Sequence, residues 1–113
     1  DNKWVYKYLV FYYYSYPMEK IDNKITNEKL EKYFELTSKA LEEAKKKIIK
    51  GKENHAKEII EMVENYLSDA KHFQLKKDFV NCFGALNYAH GWLDAGVRLD
   101  IFDVKDDKLF TVK

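Results

Sequence analysis

Three long stretches of the chain repeat apolar residues every three or four positions, the period of a helix with one buried face. The first stripe is Leu30, Tyr33/Phe34, Thr37, Ala40/Leu41, Ala44 and Ile48. It predicts a helix over about 27–49, capped by Thr26 or Asn27, with Glu28 and Glu31 at its positive end. Lys45, Lys46, Lys47 and Lys50 gather at its negative end, and Gly51 supplies the stop. The second stripe, Ala56, Ile59/Ile60, Val63, Tyr66/Leu67, Ala70 and Phe73, predicts a helix over about 53–75 that Lys76 and Lys77 close. The third stretch, Phe79 to Val97, breaks the pattern. It is apolar or small on nearly every side, and Asn81, Asn87, His90 and Asp94 are its only strongly polar positions. A helix of that kind is expected to be buried over most of its circumference, so the other two should wrap it. Asp78 is its expected cap, and it should end near 98.

The connections between these helices are only a few residues long, which makes neighbours antiparallel. The pattern therefore predicts an all-α fold, an up-down-up three-helix bundle. Beyond about residue 98 the period changes. IFDV (101–104) and LFTV (109–112) flank KDDK. That apolar–turn–apolar order suggests a small hairpin over the tail 100–113, lying on the bundle because isolated hairpins are marginal. The alternative is an extended tail held by Phe102 and Phe110.

Composition narrows the picture. The 113 residues are 46% hydrophobic and 35% charged, enough apolar surface for one modest domain, taken as 18–113. A net charge of +1 with acids and bases mixed provides no strong field for nucleic acid or for a membrane. No run of about 18 apolar residues is present, so no transmembrane segment is expected. The single cysteine, Cys82, cannot form an internal disulfide or a multi-cysteine metal site. Residues 1–17 hold six of the nine tyrosines, end at Pro17 and look foreign to the rest. Met18 is the expected native start, with 1–17 an arm outside the domain.

YLSDAKHF (66–73), ALNYAHGWLDAG (85–96), IFDV and LFTV together resemble an archaeal family of small proteins of unknown function. The resemblance spans roughly 26–113. It implies a three-helix bundle of the albumin-binding-domain type and a cytoplasmic location. It brings no activity, cofactor or catalytic residue.

Candidate chemistry is sparse. There is no phosphate-binding glycine loop, no HExxH, no CxxC and no serine elbow. If the second turn centres on residue 77, residues of helices two and three that sum to about 154 sit level. His72 is then level with Cys82, and His90 with Glu64 and with Thr37 or Ser38 of helix one. His72 and His90 lie roughly 12 Å apart in height, too far to share a metal with Asp69 and Asp94. No metal or cofactor is expected. Cys82 beside Phe83 reads as a core thiol, although a pairing with His72 is geometrically open. His90 and Asp94, at i and i+4, can act together as base or ligand, or can satisfy each other in the core.

Glycine in a helix interior costs about 1 kcal/mol against alanine and asks for a packing reason. Gly84, Asn87, Gly91 and Asp94 share one face, with Tyr88 and Trp92 as an adjacent aromatic ridge. Either the tail fills that groove or a partner does. Three functions follow in order. The first is a non-enzymatic helical module that self-associates or docks a protein partner through helix three and the tail. The second is nucleic-acid association through Lys45, Lys46, Lys47, Lys50 and Lys52. The third is a small ligand-binding or enzymatic bundle using His90 and Asp94 with Tyr66 or Tyr88.

Overall fold

The structure, a computed structural model, describes residues 21–112. The expectations for the arm 1–17 and for Met18 lie outside the described residues. Among the described residues three helices carry the fold: α1 (Asn27–Lys46), α2 (Glu53–Leu75) and α3 (Phe79–Arg98). The class is all-α.

Both expected caps form. Thr26 accepts a hydrogen bond from the Lys29 N–H at 3.1 Å, and Asp78 accepts from the Asn81 N–H at 3.3 Å. The apolar stripes are the buried faces. Leu30, Phe34, Thr37, Ala40, Leu41 and Ala44 are buried on α1, and Ala56, Ile59, Val63 and Ala70 on α2. Contacts between helices set their relative directions. Gln74 donates to Asn27 and Glu31, and Lys45 meets Glu64, so numbers rise along α1 as they fall along α2. Tyr66 meets Tyr88 with ring centroids 4.5 Å apart, a pair that sums to the expected level.

The core has two apolar clusters. One holds Leu30, Phe34, Ala70, Cys82, Ala85 and Leu86. The other holds the C-terminal half of the α1 face, the N-terminal half of α2, Ala89, Leu93 and Val97, together with Ile101, Phe102, Val104 and Phe110 from the tail. Six buried alanines (40, 44, 56, 70, 85 and 89) keep the helices close.

Three expectations are corrected. First, α1 ends at Lys46 rather than near Ile49. The β-branched pair Ile48–Ile49 leaves the helix and pairs with the tail: Ile48 bridges Phe102, Ile49 N–H donates to Ile101 C=O, and Asp103 N–H donates to Lys47 C=O. Second, this pairing replaces the hairpin. IFDV takes the α1–α2 connection as its partner, and the KDDK turn leads LFTV back onto α1 and α3 instead. The tail is irregular with a turn at 107–109, and four buried residues hold it rather than two. Third, the described residues do not wrap α3. It touches both other helices, yet Val80, Asn81, Gly84, Asn87, Tyr88, Gly91, Ala95 and Arg98 are exposed along one side. Two helices and a tail cannot surround a third, and small residues leave little apolar area on the open side.

Among the described residues, no helix is long and apolar enough to cross a membrane.

Candidate functional site

The open side of α3 is the first candidate. Val80, Gly84, Asn87, Gly91 and Ala95 follow one another at steps of three and four, which places them in a single row. Val80 is 73% exposed and Tyr88, beside the row, 50%. A Cβ added at Gly84 or Gly91 would meet nothing within 4 Å. The tail therefore does not fill this groove, and among the described residues nothing packs closely on either glycine. Asn87 is occupied internally, its amide donating to the Phe83 carbonyl of the preceding turn at 3.0 Å. Tyr88 stands edge-on to Tyr66 and, at 6.3 Å between centroids, to Trp92. Trp92 leans on the core, so the aromatic ridge forms the border between the open row and the packed interior.

The glycine that does admit a close contact is Gly96. A Cβ there would sit 2.5 and 2.7 Å from two atoms of the Phe102 ring and 3.1 Å from Ile59 Cδ1. The sequence reading places Gly84 and Gly91 on one face and gives Gly96 no role. Gly96 is five residues beyond Gly91, which turns it about 140° around the helix, away from the row. The usable signal was Phe102, a large apolar residue just past the helix end that needs a flat surface to lie on.

His90 and Asp94 sit under the tail. Thr37, 1% exposed, meets His90 Nδ1 through its hydroxyl at 3.1 Å, the partner that the level argument gives. The other ring nitrogen, Nε2, lies 2.7 Å from the Leu109 carbonyl oxygen. A carbonyl can only accept, so Nε2 carries the proton and donates. In the neutral ring Nδ1 then accepts from the Thr37 hydroxyl. Asp94 stands 3.8 Å from Nε2, beyond hydrogen-bond reach, and its two oxygens accept instead from the Thr111 N–H at 2.8 Å and the Thr111 hydroxyl at 3.3 Å. One imidazole thus ties α1, α3 and the tail together, and one carboxylate pins the tail next to it. Both ring nitrogens are engaged, so a general base at His90 would first require the tail to leave.

The remaining candidates stay apart. His72 and Asp69 are exposed on α2, while Cys82 is fully buried. No bond joins His72 to Cys82. Burial pushes the Cys82 thiol above its ordinary range, and the nearby charges of Glu31 and Asp78 add to this against the opposing effect of Lys71. No group of three or more His, Cys, Asp or Glu side chains able to hold a metal occurs among the described residues. Lys45 pairs with Glu42 and Glu64, and Lys46, Lys47, Lys50 and Lys52 are exposed around the α1–α2 connection. Lys45 and Lys46 lie in the last turn of α1, where they complement its negative end.

A family model described as a protein of unknown function (DUF357) matches residues 32–102. The matched stretch takes in most of α1, all of α2 and α3, and the tail as far as Phe102, but not the pinned residues Leu109–Thr111. No curated protein and no solved structure matches the chain.

Proposed function

The chain belongs to the DUF357 family, and from that premise we propose that it is a helical interaction module, self-associating or docking a protein partner through α3 and the tail. The observation that carries this reading is the open row on α3. In a chain with 35% charged residues, the row from Val80 to Ala95 bears no charge, and its two glycines leave room for another backbone to approach. A helix spends about 1 kcal/mol on each interior glycine, and no close contact among the described residues recovers it. Close packing against another chain would recover it. The same reading takes the three helices as an up-down-up bundle of the albumin-binding-domain type in an archaeal cytoplasm. The reversed pairing of α1 with α2, and of α2 with α3, supports that topology.

Light scattering on the full chain from micromolar to millimolar concentration tests the self-associating form. The mass should rise with concentration, and Gly91→Arg should hold it at the monomer value while helical circular dichroism stays unchanged. A parent chain that remains monomeric throughout would contradict it.

A further inference from the structure

The segment Leu109–Thr111 makes several specific contacts with the helices. Three consecutive residues are read by three different devices. Leu109 presents its carbonyl to His90 Nε2 at 2.7 Å. Phe110 is 3% exposed, its ring 6.5 Å from that of His90. Thr111 gives both its N–H and its hydroxyl to the two oxygens of Asp94. Thr37 fixes His90 from behind, so the imidazole is aimed before the tail arrives. Backbone hydrogen bonds flanking one buried aromatic anchor are a means by which folded domains hold a peptide segment.

The segment that delivers these residues is self-contained. Asp106 accepts from the N–H groups of Lys108 and Leu109, and its carbonyl accepts from the Phe110 N–H, which makes a local turn. Residues 105–108 are exposed. The turn can therefore travel with Leu109–Thr111 as one unit.

We propose that the surface formed by Thr37, His90 and Asp94 between α1 and α3 is a recognition site for a Leu-Phe-Thr segment presented by a turn, filled by the chain's own tail and open in trans to the tail of a second copy. A second copy carries the same three residues and the same turn, so every contact seen within the chain is available between chains. A short tether gives the chain's own tail an effective concentration of order millimolar, so exchange is suppressed until the internal contact is weakened. The proposal deepens the tail half of the function proposed above. It uses none of the glycine row, so either can fail without the other.

Two full-length variants separate donor from acceptor. Asp94→Ala keeps an intact tail but a weakened site. Phe110→Ala keeps an intact site but a disabled tail. With the Phe110→Ala chain isotopically labelled, adding unlabelled Asp94→Ala chain should return the His90 Nε2–H resonance to its position in the parent. The scattering mass should about double, as one tail enters one site. An unlabelled chain carrying both substitutions should do neither. An unmoved His90 resonance and a monomeric mass at millimolar concentration, with both variants helical by circular dichroism, would overturn the proposal. If Phe110→Ala unfolds, Thr111→Pro serves in its place. It removes both bonds to Asp94 and leaves the Phe110 ring, and the same two outcomes decide.

Discussion

A methyl group at Gly96 would have to displace the ring of Phe102, itself 2% exposed and packed in the core. Gly96→Ala should therefore cost about 1–3 kcal/mol by overpacking, measured by urea denaturation. The Thr37–His90 pair calls for a different experiment. Either substitution alone leaves a buried polar group without its partner, so Thr37→Val and His90→Leu should each cost about 1–3 kcal/mol, and the double variant clearly less than their sum. Additive losses would show that the two side chains act separately. The Thr37 contact was legible from helix heights alone. The Leu109 contact was not, because the spacing brings the tail to the bundle without saying which of its residues meets His90. Without that third bond His90→Leu looks nearly neutral, so the expected cost comes from the structure. Cys82 gives a pH test. Its thiol is held above an ordinary value near 9.0, so the unfolded chain ionises first as pH rises. The folded state then binds the extra proton, and stability should fall as pH climbs past that value. Cys82→Ala should flatten the fall, and a chain whose alkaline stability curve matches that of Cys82→Ala would contradict it.

At the scale of elements, the helices were legible because three- and four-residue spacing and side-chain caps are local properties. Their ends were less so. The lysines after Ala44 suit a helix terminus wherever in 45–50 it falls. What selects Lys46 is the pairing of 47–49 with 101–103, a contact more than 50 residues away in sequence. Both α2 and α3 end in the same way. Asp78 N–H returns to Phe73 C=O with Lys77 at φ 60°, and Ile101 N–H returns to Gly96 C=O with Asp100 at φ 58°. These are left-handed caps built without the usual glycine. Lys77→Gly removes the Cβ strain at the first of them. It should stabilise the fold by up to about 1 kcal/mol, read as a raised urea midpoint with an unchanged slope. A lowered midpoint would mean that the Lys77 side chain contributes more than its backbone strain costs.

At the scale of the whole molecule, the sequence pattern implied a helix enclosed by its neighbours, and the helices and tail of the described residues do not enclose it. The uncharged side of α3 was legible as unusual. Whether it faced inward or outward was not, because small residues suit a tight internal crossing and an external one equally. Among the described residues the row lies outside and both glycines are open, and on the function proposed above another chain covers them. The sign of one substitution reports on that. In an uncovered helix Gly91→Ala stabilises by about 0.4–1 kcal/mol, because the unfolded chain loses freedom and nothing stands in the way of the methyl. In a close helix–helix contact the same methyl costs about 1–3 kcal/mol. Urea denaturation of the parent and of Gly91→Ala should therefore be compared at micromolar and at near-millimolar concentration. The account predicts a more stable variant in the dilute sample and a less stable one in the concentrated sample. The same gain at both concentrations would contradict it.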